Sequence, residues 1–281
     1  MAQEIDALTS ATLRHLRDRW WNEAFTSFLE EILRPRAGKR ILDVGCGTGR
    51  GEVTLSRLRV SQMQLFGVDQ ALPRLRQAVE ATRGANARAS YAAADACRLP
   101  FAPGVFDSTY CVAVLQHIRD LNGALAEIAR VTKPNGRILV VEPDNQAIYW
   151  FSSLPSGVEA FEIGRRFFAE RALARDEQAA TAVGPLVPGL FAANGIEPLS
   201  VQLFPVSVAH VGGPADALWE SRRSAVRAAI ENTPGESLRR LGNDYVKAIE
   251  RYAADGRAAG PSFVEIQNTL LFASAGQRME Q

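Results

Sequence analysis

The sequence has few cysteines, no excess of charge of one sign and no long apolar run, and each shortage narrows the possible functions. Its three cysteines, Cys46, Cys97 and Cys111, form no CxxC pair and no Cys/His cluster with zinc spacing. Each thiol is therefore expected to act as a small buried apolar side chain. The pattern fits a reducing, cytoplasmic setting.

The charge is almost balanced, with 32 Lys and Arg against 31 Asp and Glu. A protein that binds a long stretch of nucleic acid usually carries a basic excess, so no nucleic-acid partner is expected. No apolar run approaches the length of a membrane span, and the amino-terminal segment MAQEIDALTS is too acidic and polar for a signal peptide. We therefore expect a globular protein without a membrane partner.

Short apolar segments alternate with helical patterns over the first half of the chain. Strands are predicted at 40–44, 64–68, 89–94, 105–114 and 137–141, and helices at 5–33, 50–59, 72–81 and 121–131. This alternation predicts a parallel sheet with right-handed crossovers. Beyond Pro143, segments 145–180 and 214–254 are predicted to be helical, the second with breaks at Pro234-Gly235 and Gly242-Asn243, whereas 195–208 and 262–274 are predicted as strands.

The most informative segment is the glycine-rich turn after the first strand, Asp43-Val44-Gly45-Cys46-Gly47-Thr48-Gly49. Its three glycines remove side chains from the path of a ligand, and each tolerates positive φ. A helix is predicted to begin directly after the turn, so its free N–H groups face the same ligand. The dinucleotide fingerprint would need glycine where Arg50 stands, so a dinucleotide site is a poor fit.

Acidic residues end each of the first three strands. Asp43 can accept hydrogen bonds from an ammonium group, Asp69 from the two hydroxyls of a ribose, and Asp95 from an exocyclic amine. Taken singly, Asp69 or Asp95 is equally well explained as a helix cap or turn former. Their joint placement favours a ligand with an amino-acid part, a ribose and an adenine.

On these residues the segment 40–142 resembles the core of the class I S-adenosylmethionine-dependent methyltransferases, in the small-molecule group with a type 11-like core. The matching segments are ILDVGCGTGR, FGVDQA, YAAADACRLPFAPGVFDSTYCVAVLQHI and LAEIARVTKPNGRILVVEPDN. The resemblance implies S-adenosylmethionine as cofactor, S-adenosylhomocysteine as product and no metal.

The resemblance also implies a role for each motif. The acid before the turn and the turn itself would hold the methionine part, the second strand's end the ribose, the third strand's end the adenine, and the segment from Val112 to His117 the open side of the cofactor. The implied cofactor-binding residues are Asp43, Gly45, Cys46, Gly47, Gly49, Asp69, Gln70, Asp95, Ala96, Val112 and Gln116.

The expected architecture is an α/β, Rossmann-like, seven-stranded and mostly parallel sheet with an antiparallel last strand, helices on both faces and helical lid insertions. A single domain over 1–281 is expected. Its parts would be a helical cap (1–36), a cofactor-binding core (37–144), lid insertions (145–190 and 210–260) and closing strands (195–208 and 262–274).

Methyl transfer is an in-line displacement that depends mainly on orientation, and a base is needed only if the acceptor binds protonated. His117 is the first candidate base, and Glu142 and Asp144 are the second candidates. The alternative explanations are a helix-start histidine that hydrogen-bonds the backbone and loop polarity next to Pro143. Candidate acceptor-pocket residues are Trp20, Trp21, His117, Asp144, Tyr149 and Trp150. Such a pocket would suit an aromatic, hydrophobic or cationic small molecule, although clustered aromatic residues are more often core.

Two alternatives stay open at this point. One is an RNA or protein methyltransferase with the same core, and the other is a cofactor-binding module without catalysis. Against a base-methylating enzyme, the segment Cys111–His117 lacks the Pro-Pro turn typical of that group. Neither the acceptor, the methylated atom nor the oligomeric state can be inferred.

Overall fold

A computed structural model describes residues 19–58, 60, 62–85, 87–174 and 182–280. The chain forms two compact units. The first unit comprises Met1–Trp21, Asn145–Thr181 and Pro205–Leu270, and the second comprises Asn22–Asp144, Ala182–Phe204 and Leu271–Gln281. The described strands are β1 (Arg40–Val44), β2 (Gln64–Asp69), β3 (Ala89–Ala93), β4 (Phe106–Val112), β5 (Thr132–Ser152), β6 (Ile196–Val211) and β7 (Val264–Arg278).

The described α-helices alternate with these strands at first and then cluster late in the chain. They are α1 (Glu23–Leu33), α2 (Arg50–Ser56), α3 (Leu72–Gly84), α4 (Leu121–Val131), α5 (Pro155–Ala174), α6 (Val187–Ala193), α7 (Asp216–Glu231) and α8 (Glu236–Ala259). None of the described helices is both long enough and apolar enough to cross a membrane.

The described strands form one sheet in the order β3-β2-β1-β4-β5-β7-β6. The first five pair in parallel. β7 runs antiparallel to β5, because Ser153 N donates to Val264 O at one end (2.9 Å) and Arg278 donates to the Thr132 carbonyl at the other. These observations confirm the predicted Rossmann-like sheet with antiparallel closing strands, and they put the strand reversal between β1 and β4.

The second unit is built around the parallel strands. Helix α4 begins at Asp120, whose carboxylate accepts the Gly123 N–H at 2.8 Å, as an N-cap residue should. Its apolar face, including Leu125 and Ile128, is fully buried against the sheet core. Burying each such side chain stabilises the folded state by about 1.5–3 kcal/mol. This packing therefore holds in place the parallel strands that carry the glycine turn.

The first unit is mainly helical. Helices α5 and α7 both pack against α8, and the unit also contains the ends of β5 and β6 and the start of β7. Its core contains the fully buried side chains of Phe167, Trp219, Tyr252 and Phe263. All four tryptophans of the chain, at positions 20, 21, 150 and 219, belong to this unit. The interpretation of its helices as a lid stays a prediction.

Two predictions of secondary structure were wrong. Segment 145–152 is the end of β5 rather than helix, because this apolar and aromatic stretch pairs with the start of β7. Helix α8 runs unbroken through Gly242, where a Cβ would lie 2.5 Å from Ile230 Cγ1 and 2.8 Å from Phe167 Cε2. That glycine permits close helix packing instead of ending the helix. The predicted helical stretch at 5–18 lies outside the described residues.

Candidate functional site

The glycine turn lies at the carboxyl end of β1 and leads into α2. Gly45 and Cys46 donate their N–H groups to the Val68 carbonyl at 2.7 and 2.9 Å, so the turn is tied to the end of β2. Gly45, Gly47 and Gly49 have φ values of 77°, 54° and 79°. Left-handed backbone at three alternate positions explains the spacing of the glycines.

Each glycine also meets different surroundings. A Cβ on Gly45 would lie 2.4 Å from Val114 Cγ2, and one on Gly49 would lie 3.0 Å from the Ala78 backbone on α3. Gly47 has nothing within 4 Å of its Cβ position. Two glycines therefore serve close packing, whereas Gly47 leaves space open above the turn.

Asp69 closes the turn from the side of β2. Its Oδ2 accepts the Gly47 N–H at 3.0 Å and its Oδ1 accepts the Ala71 N–H at 2.8 Å. The side chain is buried. Each carboxylate oxygen can accept a second hydrogen bond, so this geometry combines the turn-forming role with capacity for a ligand hydroxyl. Gln70, next in the chain, is exposed.

Asp95 occupies the corresponding place after β3. Its Oδ1 accepts the Cys97 N–H at 2.9 Å, which is the pattern of an Asx turn, and the residue is exposed. Ala96 is half-buried beside it. The predicted adenine contacts of these two residues stay a prediction.

Four residues lie side by side on β3, β2, β1 and β4, beneath helix α2. Asp43 on β1 is in register with Gly67 on β2 and Tyr110 on β4, and Gly67 is in register with Tyr91 on β3. Residues in register on neighbouring strands point to the same face. Glu52 of α2 reaches into this row, because its Oε1 lies 2.5 Å from where a Gly67 Cβ would be. The missing side chain on β2 is what makes room for this carboxyl group.

The electrostatics of this row are unusual. Asp43 and Glu52 are 5% and 1% exposed, and neither Glu52 oxygen has a hydrogen-bond partner in another described residue. Burial raises the pKa of Asp43 to about 7, opposed by the Tyr110 hydroxyl and assisted by the charge of Asp69. Burial and then the neighbouring Asp43 raise the pKa of Glu52 well above its ordinary value. The row is therefore a buried acidic environment that would favour a cation.

The thiol of Cys46 lies in the same environment. Burial, and then the charges of Asp43 and Glu52, raise its pKa, so the thiol is protonated and inert at neutral pH. The prediction that this residue is a buried, apolar-like side chain of the turn is confirmed by its 7% exposure. Cys111 is also buried, whereas Cys97 is only half-buried.

Glu142, at the end of the parallel part of β5, is completely buried. Its carboxylate accepts the N–H groups of Val114, Leu115 and Gln116 at 2.8, 2.7 and 3.4 Å. These bonds hold the segment after β4, where Ala113 has a left-handed φ of 57°. The geometry favours an anchoring role for Glu142 over its predicted role as a base.

The segment that Glu142 holds contains the other predicted residues of this edge. Leu115–His117 form one turn of 3-10 helix, with His117 exposed and Gln116 buried. Val112 ends β4 and is half-buried. The structure therefore brings Val112, Gln116 and His117 together at the carboxyl ends of β4 and β5, next to Gly45, which contacts Val114.

The remaining acceptor-pocket candidates belong to different parts of the chain. Asp144 is buried at the end of the second unit's stretch of β5. In the first unit, Trp20 is buried, Trp21 is half-buried and Tyr149 is 57% exposed. The rings of Trp150 and Phe161 pack in a T-shaped arrangement, with centroids 4.1 Å apart. Their roles toward an acceptor stay predictions.

Glu52, Tyr91 and Tyr110 were missed by the sequence analysis. Glu52 falls within the first turn of a predicted helix, where an acid is ordinarily a solvated group that favours the positive helix end. A signal was present in Gly51 and Gly67, because both lack a side chain where α2 packs on β1 and β2.

Comparison with known proteins agrees with this geometry. Residues 42–140 match the family model of a methyltransferase domain. The chain is 32% identical over 187 residues to a demethylmenaquinone methyltransferase of Thermus thermophilus, a match that covers 66% of this chain and 74% of that protein. It is 36% identical over 120 residues to the O-methyltransferase resE of Aspergillus sclerotiorum, which covers 43% of this chain and 46% of that protein.

Among solved structures, the YcgJ protein of Bacillus subtilis has a TM-score of 0.59 at 18% identity, with 92% of this chain and 100% of that chain covered. This likeness shows the fold. The glycine turn, the acidic residues at the ends of the first three strands and the similarity to the relatives together define the class. The chain belongs to the class I S-adenosylmethionine-dependent methyltransferases.

The turn suits the cofactor of this class. Gly47 leaves open space where a side chain would otherwise stand, and Asp43 and Asp69 are buried acids at the ends of adjacent strands. Buried carboxylates that have no cationic partner among the described residues fit a ligand that carries ammonium and sulfonium charges. The residues present therefore fit S-adenosylmethionine.

Proposed function

We propose that the protein transfers the methyl group of S-adenosylmethionine to a small-molecule acceptor. The observation that carries the proposal is the open glycine turn above a buried acidic row, bordered by Asp69. The relatives, named as an O-methyltransferase and a demethylmenaquinone methyltransferase, support a small organic acceptor.

In this proposal Asp43 and the Gly45–Gly49 turn hold the methionine part of the cofactor, including its ammonium group. Asp69 and Gln70 hold the ribose, and Asp95 and Ala96 hold the adenine. When bound, the cofactor supplies an electrophilic methyl group on a cationic sulfur. The chain's task is then orientation and exclusion of water.

Glu142 acts in this proposal by fixing the main chain of 114–116, which places His117 and Gln116 at the same edge of the sheet as the turn. His117 would accept a proton from an acceptor that binds in its protonated form. The exposed aromatic side chains Tyr149, Trp150 and Phe151 in the first unit would suit an apolar or aromatic acceptor.

The cofactor part is tested by calorimetric titration with S-adenosylmethionine. We expect micromolar-range binding by the natural sequence and a loss of about 100-fold or more in Gly47→Val, whose side chain would fill the open space. Gly38→Val is the matched control, since Gly38 also has positive φ and open surroundings but precedes β1. Equal affinities of the two variants, or no binding by the natural sequence, would contradict the proposal.

The acceptor part is tested by transfer of labelled methyl groups into a cell extract that is then separated into metabolites, RNA and protein. We expect label in the metabolite fraction. Label confined to RNA or protein would refute the small-molecule acceptor, and cofactor binding without transfer into any fraction would support a non-catalytic module.

A further inference from the structure

The carboxyl group of Glu52 is a buried acid to which the proposed function gives no role. It is the third residue of α2, the helix that continues the glycine turn, and it is 1% exposed. Neither of its oxygens has a hydrogen-bond partner in another described residue. An unpaired polar group at such a depth costs stability, so its presence calls for a physical reason.

The groups that face Glu52 and its neighbour Asp43 are carboxyl groups, phenol hydroxyls and one thiol, contributed by the glycine turn and by β1, β2, β3 and β4. Each ionisable one among them becomes negative when it ionises, so a second charge in this space is unfavourable unless a cation enters. They are Asp43 from β1, Cys46 from the turn, Asp69 from β2, Tyr91 from β3 and Tyr110 from β4.

We propose that Glu52 holds a proton while the cofactor site is empty and releases it to solvent when S-adenosylmethionine binds. The inference rests on the proposed function, because it requires the Gly45–Gly49 turn to hold that cofactor. In the release, the O–H bond of Glu52 breaks, the electron pair stays on the carboxylate and water accepts the proton. Glu52 is thus a positioning residue that gives the loaded site a further negative charge beside those of Asp43 and Asp69.

The charge of the cofactor explains why release would follow binding. S-adenosylmethionine carries ammonium and sulfonium charges against one carboxylate, whereas S-adenosylhomocysteine has no sulfonium charge. A cation near a buried acid favours the ionised form of that acid. We therefore expect the methylated cofactor to release more protons than the product does.

The two acids can be distinguished by pH. The pKa of Asp43 is about 7 and that of Glu52 is raised well above its ordinary value. At about pH 8.5 most of Asp43 is already ionised in the empty site, and a proton released there is assigned to Glu52 when Glu52→Gln abolishes the release.

The experiment is calorimetric titration of the full chain with S-adenosylmethionine at about pH 8.5, in two buffers that differ in enthalpy of ionisation. The difference in heat gives the number of protons released. We expect about half a proton or more from the natural sequence, less with S-adenosylhomocysteine, and none from Glu52→Gln, which still binds. Glu80→Gln, which removes an exposed acid on α3, is the matched control and should behave as the natural sequence.

Several outcomes would overturn the inference. Binding without proton release, equal release with the two cofactor forms, or unchanged release in Glu52→Gln would each do so and leave the proposed function standing. No binding at all by the natural sequence would overturn both. The comparison of the two cofactor forms needs no variant, so equal release would overturn the inference even if Glu52→Gln fails to fold.

Discussion

Buried carboxyl groups lie in both units of the protein, but their partners differ. In the first unit, Glu265 receives two hydrogen bonds from Arg222, at 2.9 and 2.5 Å, and a third from Gln267 Nε2 at 2.9 Å. Burial opposes its ionisation, yet Arg222 holds the pKa of Glu265 below its ordinary value. In the second unit, Glu52 is equally buried, no described residue supplies such a cation, and its pKa is raised.

The comparison shows that burial alone does not set the charge of an acid. A fixed guanidinium makes Glu265 a permanent anion that joins α7 to β7 within the first unit. The acids under the glycine turn have no fixed cation among the described residues, so their charge depends on pH and, in our proposal, on what binds. Glu142, which is also buried, accepts hydrogen bonds from three main-chain N–H groups.

The largest effect is expected from removing the cation in the first unit. Arg222→Met would leave Glu265 as an unpaired buried charge and should lower the free energy of unfolding by about 3–5 kcal/mol at pH 7. Urea unfolding followed by circular dichroism measures this loss. The double variant Arg222→Met/Glu265→Leu should recover most of it, and a loss below about 1 kcal/mol in the single variant would refute the contrast.

A smaller effect is expected where the partners are N–H groups. Glu142→Ala would leave the N–H groups of residues 114–116 without their acceptor and should cost about 1–3 kcal/mol. It should also weaken cofactor binding, because the segment borders Gly45. Glu197→Ala, an exposed glutamate on β6, is the control in the same unfolding and binding measurements. Weakened binding by both variants to the same degree would contradict an anchoring role.

The acids without a cation should make the cofactor-free protein less stable as pH rises. Their pKa values are raised in the folded state, so the folded state binds more protons, and stability is lost between the unfolded value near 4 and the raised values. We expect a slope of about 1 kcal/mol per pH unit, reduced in Glu52→Gln.

Thermal unfolding between about pH 6 and pH 9 measures this slope. Glu52→Gln should be the more stable protein at the alkaline end. If the stability of the natural sequence and that of Glu52→Gln fall equally with pH, Glu52 does not contribute to the slope. The proposed difference between Glu52 and Glu265 would then be wrong. Glu265, whose pKa is lowered, should instead lose its contribution at acidic pH.

The smallest effect is expected at an exposed ion pair. Arg166 and Glu170 are one helical turn apart on α5, with 69% and 46% of their side chains exposed. Arg166→Ala should change the free energy of unfolding by no more than about 0.5 kcal/mol, since solvent screens the pair. A larger decrease in the free energy of unfolding, measured in urea, would mean that exposure does not predict how much such an ion pair stabilises this protein.

Much of the site could be predicted from the sequence because its determinants are local. Alternate glycines, strand-end acids and the Pro234-Gly235 break depend on neighbouring residues in the chain. Glu52 and Tyr91 could not be predicted, because their burial follows from α2 packing over Gly67, a contact between distant segments. The predicted helix break at Gly242 was wrong for the same reason, since its neighbours Ile230 and Phe167 come from other helices.

The distribution of tryptophan gives the protein a natural optical label. Light near 295 nm excites indole but hardly excites phenol, so the emission comes from the unit that contains positions 20, 21, 150 and 219. Circular dichroism reports on both units at once. If the two signals change at different urea concentrations, the units melt in separate steps, and a single free energy of unfolding no longer describes the chain.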